Sequence, residues 1–255
     1  MLIEPKTICS LIKNEYSDSI VIINLNHFYR FVDSPNERQS FLRFFGSESN
    51  HNRFISLFRS APNPEKIYED LLKDYVSRLV KAKQKQLFCL PIFFRFGDEN
   101  TQISHAVIVI SKNKTGINRI RESFVEVDES INDTGKRNEN FYFENEKIVV
   151  CENNKRGTLS LFGDENKKYF KVLHYLPNNS DSAVTLSDLL NIIDEDYMLK
   201  NSYCSGYSKA FLRRAFNFLE RKNLIGIKYV GAKKRKEYTY GENTRVFHKT
   251  KNENH

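Results

Sequence analysis

Of the six histidines in the 255-residue chain, His105 has the most suggestive setting. It opens an apolar run, His-Ala-Val-Ile-Val-Ile (105–110), that follows another, Leu-Pro-Ile-Phe-Phe (90–94). Further on, Ser123-Phe-Val-Glu-Val-Asp-Glu-Ser130 reads as a third strand ending in carboxylates. A strand-borne histidine beside a strand-borne acid is what orienting an imidazole as a general base requires. On this reading His105 is the base and Asp128 or Glu126 its orienter. The nucleophile would be Cys204, which precedes a helix and is followed by Ser-Gly, or Cys9, ahead of Leu11 and Ile12. Neither cysteine sits in a Gln-led Cys-Gly motif. Phosphate-binding glycine loops, H-E-x-x-H and G-x-S-x-G are also missing from the chain.

A second kind of chemistry is carried by charge. The formal net charge of +8 is unevenly distributed. Residues 1–160 are close to neutral, whereas residues 200–255 hold 14 basic and 4 acidic side chains. A one-sided basic face attracts phosphate backbones or acidic surfaces. Within it, Lys209, Arg213 and Asn217 recur at four-residue spacing with Arg214 and Arg221 nearby, and Lys233-Lys-Arg-Lys236 are four consecutive cations.

These groups need elements to position them. The 20 Phe and 13 Tyr supply enough large apolar side chain for a core, and the length favours two domains. Residues 19–25 read as a buried strand. Ser34-Pro35-Asn36-Glu37 has the form of a capping box leading into a helix that stops near Gly46. Asn63-Pro64-Glu65 opens a long helix whose apolar stripe runs Ile67, Leu71, Leu72, Tyr75, Val76, Leu79 and Val80. Short strands are expected at 87–96, 105–111, 123–128, 141–143 with 147–151, and 158–162, with polar loops at 97–102, 112–115 and 131–140. Helices first and strands second predict an α+β domain with a mostly antiparallel sheet over residues 1–160.

From Tyr169 the pattern becomes helical. Residues 169–176 form one amphipathic segment, and Thr185 caps a second helix with Asp188 three residues on. A polar turn then leads to Ser208 and a helix over 209–223, whose Leu212, Ala215, Phe216 and Leu219 face inward. Residues 224–230, a basic turn at 231–236 and Glu237–Tyr240 read as a β-hairpin tipped with cations. Residues 246–255 read as a basic tail.

Helix, helix, turn, helix and basic hairpin in this order resembles the winged helix-turn-helix family over residues 165–245. The resemblance implies a helix in the DNA major groove and a wing along the backbone. Ser208, Lys209, Arg213, Arg214 and Asn217 become groove contacts, and Lys233, Lys234, Arg235 and Lys236 phosphate contacts. The stretch with His105 and the acidic segment resembles the His and acid strands of papain-like and Ulp-like cysteine peptidases and related acyltransferases. That resemblance implies the alternative triad His105, Asp128 and Cys204.

Four isolated cysteines without C-x-x-C spacing fit a reducing compartment, and no apolar run reaches the ~20 residues of a membrane span. The expectation is a cytoplasmic, two-domain, double-stranded-DNA-binding regulator or replication or mobile-element accessory protein. It calls for no cofactor, metal or membrane and leaves room for a protein partner or homodimer. The alternatives are the cysteine peptidase or acyltransferase and a non-enzymatic interaction module.

Overall fold

Asn63 accepts the Glu65 amide at 2.9 Å through its side chain, starting the longest helix at the place its sequence predicts. In the computed structural model, residues 3–12, 18–83, 87–96, 102–129, 141–144, 147–151, 167–231 and 235–249 are described. The N-terminal part runs α1 (Pro5–Leu11), β1 (Ser19–Asn24), α2 (Leu25–Phe31), α3 (Arg38–Phe45), α4 (Glu48–Ser60), α5 (Glu65–Lys83), β2 (Phe88–Phe96), β3 (Gln102–Ser111), α6 (Lys114–Glu129), β4 (Phe141–Glu144) and β5 (Lys147–Cys151). The strand order is β1-β3-β2-β5-β4, antiparallel except where β2 runs parallel to β5. The fold is α+β, as the sequence predicts.

The two faces of the sheet explain its composition. Val21, Ile23, Cys89, Phe93, Ala106, Ile108 and Ile110 share one core with α1 to α5. That core is largely aromatic: Phe28, Phe41, Phe44, Phe45, Phe54 and Phe58 are buried, and Phe41 and Phe45 stack on His51, whose Nε2 lies 2.6 Å from the Val32 carbonyl oxygen. The alternate residues Leu90, Ile92 and Val109 pack with Ile117 of α6 on the opposite face. β1 is an edge strand and is not wholly buried, as 19–25 is expected to be: Ile20 and Ile22 are 65% and 69% exposed, while α6 packs on β2 and β3.

The chief correction concerns residues 123–128, which belong to helix α6 and not to a strand. Phe-Val-Glu-Val alternates over too few residues to outweigh the three- and four-residue spacing of Ile117, Ile120 and Phe124, which pack with the sheet residues Leu90, Ile92 and Val109. α3 also starts later than Ser34, after a turn through Pro35–Glu37, and ends on Gly46 in the left-handed region at φ 74°. The expected strand at 158–162 and the loop at 131–140 lie outside the described residues.

The C-terminal part runs α7 (Lys167–Phe170), a 3₁₀ turn over Lys171–Tyr175, α8 (Leu186–Asn201), α9 (Lys209–Arg221), β6 (Ile225–Tyr229) and β7 (Thr244–His248). The segment 169–176 is thus tightened into 3₁₀ geometry after Phe170. α8 starts on the expected capping box, Thr185 accepting the Asp188 amide and Asp188 accepting that of Thr185. The hairpin's second strand is Thr244–His248, paired antiparallel with Ile225–Tyr229, while Glu237–Tyr240 forms part of a long loop. Gly226 makes the pairing possible: a Cβ there would lie 2.1 Å from Cζ of Phe247, so the ring needs the bare glycine. Residues 246–248 are consequently strand and not tail, and 250–255 lie outside the described residues. Val184 pairs with Val246, adding a bridge beside β7.

The two parts share a buried junction. Tyr197 and Tyr203 pack into the aromatic core of the N-terminal part, and the Cys204 amide donates to the Cys89 carbonyl at 2.7 Å. Beside them Arg121 and Asp194, both fully buried, form a two-pronged ion pair at 2.7 and 3.0 Å. Arg121 also donates to Asn118 Oδ1 at 3.0 Å and to the Ser205 carbonyl at 2.6 Å. Asp194 also accepts from the Ser205 hydroxyl at 3.0 Å and faces Lys114 Nζ at 3.3 Å. Among the described residues no helix is long and apolar enough to cross a membrane.

Candidate nucleic-acid interface

α9 is strongly two-sided. Leu212, Ala215, Phe216 and Leu219 are buried, as their spacing predicts, and Phe211 is buried with them. Ser208 is the N-cap: its side chain accepts the Phe211 amide at 3.0 Å, and it is buried. The Lys209 amide donates to Glu122 Oε1 of α6 at 2.9 Å, so the first turn of α9 is docked on the N-terminal part. A carboxylate at this position complements the positive end of the helix dipole. Of the predicted groove contacts, Arg213 is exposed, Lys209, Arg214 and Asn217 are half-buried, and Ser208 is turned into the structure.

The loop 230–243 is tied to α9 by an acid. Glu220 pairs with Arg235 and accepts a hydrogen bond from the Tyr240 hydroxyl. The Arg235 guanidinium lies 5.6 Å from the centre of the Tyr240 ring and donates to the Thr239 carbonyl at 3.1 Å. Tyr240 in turn packs edge-on against Phe216 at 5.3 Å. Burial, and then the neighbouring Glu220, push the Tyr240 phenol well above its ordinary pKa. Arg235, expected at a phosphate, is thus engaged in anchoring the loop. Lys236 is exposed, while Lys233 and Lys234 lie outside the described residues.

Between helix and loop lies a cleft of about 420 Å³, lined by Arg213, Arg214 and Asn217 on one side and Tyr238 to Gly241 on the other. Tyr238 takes a left-handed backbone at φ 55°, with the Arg221 guanidinium 5.0 Å from its ring centre. Asn217 Oδ1 is buried and has no hydrogen-bond partner among the described residues.

The alternative triad is not brought together by the fold. Cys204 is 1% exposed, its sulfur 3.8 Å from Met198 Sδ, and burial pushes its thiol up to about 11. A nucleophilic cysteine needs the opposite shift. Cys204 is tied to Cys89, which lies five residues along β2 from Phe94, the partner of His105. At ~3.3 Å per residue that is about 16 Å. His105 instead lines a separate cleft of about 350 Å³ with Asn24, His27, Glu37 and Tyr75, its Nδ1 3.0 Å from Ser104 Oγ. Asp128 lies in the last turn of α6, so the acid strand that was to orient His105 does not exist. Cys9 sits in α1, its thiol donating to the Leu79 carbonyl at 3.6 Å.

Sequence reasoning missed Glu122, Arg121, Asp194 and Glu220. For two of them a signal was present: Arg121 falls on the apolar stripe of Ile117 and Phe124, and Asp194 on that of Leu190, Ile193 and Tyr197. One opposite charge in each of two apolar stripes is the mark of a buried pair. No protein-family model matches the chain, and comparison with characterised proteins and with solved structures gives no match either.

Proposed function

We propose that the chain binds double-stranded DNA through the face formed by α9 and the loop between β6 and β7, a winged-helix arrangement. The observation that carries the reading is the single cleft in which Arg213, Arg214 and Asn217 of α9 meet the loop residues Tyr238–Gly241. The order of elements supports it: a short helical segment, a strand bridge at Val184, two helices, and a two-stranded hairpin with a long basic loop. The charge supports it too, since α9 and the loop 230–243 carry eight of the 14 basic side chains of residues 200–255. Because Glu122 and the buried Ser208 occupy the first turn of α9, the contacts come from the middle of the helix. Lys236 supplies phosphate neutralisation, and the cleft side chains, Arg213 among them, reach base edges.

Titrating a fluorescent 20-base-pair duplex across a salt series tests this. Lys233→Ala/Lys234→Ala/Lys236→Ala should weaken binding to all sequences alike and flatten the salt dependence by up to three charges' worth. Arg213→Ala should weaken preferred sites more than random ones. An unchanged affinity and salt slope in the triple variant would remove the wing from the interface.

A further inference from the structure

β1 leaves one side of the sheet open. It pairs with β3 through Ser19–Asn24 in unbroken register, and along its other edge no hydrogen bond reaches the backbone of residues 19–23 among the described residues. Every second residue of such a strand turns its N–H and C=O outward, a template for another strand. Folded proteins usually guard an edge of this kind with a charge, a proline, a bulge or a covering element. Ser-Ile-Val-Ile-Ile-Asn carries no charge, proline or bulge, and its Ile20 and Ile22 stand 65% and 69% exposed.

The edge also opens into a cavity. The cleft of about 350 Å³ that holds His105 touches four consecutive residues of β1, Val21 to Asn24. Strand side chains alternate between faces, so a cavity that meets all four meets the strand edge-on. The lining side chains that reach solvent are the apolar Ile3 and Ile22 and the polar Asn24, His27, Glu37 and His105. Asn24 Oδ1 accepts the His27 amide at 3.2 Å, and His27 Nε2 lies 4.0 Å from Glu37, which places Glu37 at the Asn24 end of the strand.

Charge decides what this edge accepts. Asp18 stands exposed before the first residue of β1 and Glu37, 41% exposed, beside the last. Neither carboxylate has a lysine or arginine partner among the described residues. Two copies of β1 related by a two-fold axis pair antiparallel, which sets Asp18 of each against the Glu37 end of the other, acid against acid. A lone extended segment with a basic residue at each end satisfies both acids, since the strand between them spans about 20 Å, or six residue steps of ~3.3 Å.

We infer that the open edge of β1 is a docking site for an extended peptide of a partner protein, which adds to the five-stranded sheet as a sixth strand with an alternating apolar centre and a lysine or arginine at each end. Main-chain hydrogen bonds to β1 supply affinity, and Ile22, Asp18 and Glu37 supply selectivity. The site shares no residue with the DNA-binding face and does not depend on that reading.

Fluorescence anisotropy of the labelled peptide Lys-Val-Thr-Val-Thr-Val-Lys, titrated with the full chain, tests this. Saturable binding is expected, with slower hydrogen–deuterium exchange over residues 19–24. A central proline, in Lys-Val-Thr-Pro-Thr-Val-Lys, breaks the strand and should abolish binding. Glutamate in place of both lysines should weaken it about tenfold, and Glu37→Gln or Asp18→Asn by up to about fivefold each, the worth of an exposed ion pair. Ile22→Lys, at a side chain already in solvent, guards the edge with a charge and should abolish binding. No saturable binding up to about 1 mM peptide would overturn the inference, as would unchanged exchange over 19–24 or equal binding of the proline peptide. Equal binding of the glutamate peptide would overturn the call for basic ends. Sedimentation of the chain alone tests the other occupant: a dimer that Ile22→Lys dissolves would assign the edge to a second copy and overturn the peptide reading.

Discussion

Asp194→Ala removes the carboxylate that faces Arg121 inside the junction and leaves a fully buried guanidinium with only Asn118 Oδ1 and the Ser205 carbonyl as acceptors. Stranding one member of a buried pair costs about 3–5 kcal/mol. The reciprocal change is milder by geometry. In Arg121→Met the Asp194 carboxylate keeps Lys114 at 3.3 Å, a quarter-exposed partner that can follow it, and the Ser205 hydroxyl at 3.0 Å. A cost of about 1–3 kcal/mol follows, that of a buried hydrogen-bonded group losing some of its partners. The double variant Arg121→Met/Asp194→Ala should be more stable than Asp194→Ala alone, because it no longer buries an unpaired cation. Urea unfolding followed by circular dichroism and tyrosine fluorescence measures all four proteins; the chain has no tryptophan. The reasoning is refuted if Asp194→Ala costs less than about 1 kcal/mol, the range of exposed pairs such as Arg59 with Asp33. It is refuted equally if the double variant is the least stable.

Three further outcomes are expected. Burial raises the Cys204 thiol from 9.0 to about 11, so the folded chain holds a proton that the unfolded chain releases. The contribution of this thiol should therefore be flat below about pH 9 and fall between pH 9 and 11, by on the order of 2–3 kcal/mol. Thermal melts of wild type and Cys204→Ala across that range would show a shallower fall in the variant. Gly226→Ala puts a methyl 2.1 Å from the Phe247 ring and should cost about 1–3 kcal/mol in urea unfolding; a neutral result would mean that the hairpin shifts freely. Glu220→Gln leaves Arg235 without its carboxylate and weakens the anchor of loop 230–243. The expected cost is about 1–2 kcal/mol, with faster amide exchange in that loop, and unchanged exchange would show that Glu220 does not hold it.

Where periodicity ran long, the fold was legible. The stripe from Ile67 to Leu79, the capping box at Thr185 and the inward face of α9 all sit as their spacing predicts. It failed where a short local pattern competed with a longer one, as at Phe124–Val127, whose alternation belongs to the end of a helix. The hairpin's second strand was misjudged because Tyr238 adopts a positive φ and Tyr240 turns inward to Glu220, and neither is encoded as a turn by glycine or proline at those positions. Of the candidate interface, the cations of α9 and the loop could be read from charge. The docking of the helix start on Glu122 could not, because it depends on a contact between residues 87 apart in the chain.

The central claim is that α9 and the loop between β6 and β7 are the DNA-binding face, and hydrogen–deuterium exchange of the full chain with and without a duplex reads that face directly. Added duplex should slow exchange in peptides covering 213–221 and 230–243, leaving the exposed edge strand at 19–24 unaffected. Protection confined to the N-terminal part, or no protection in the loop at saturating duplex, would contradict the account.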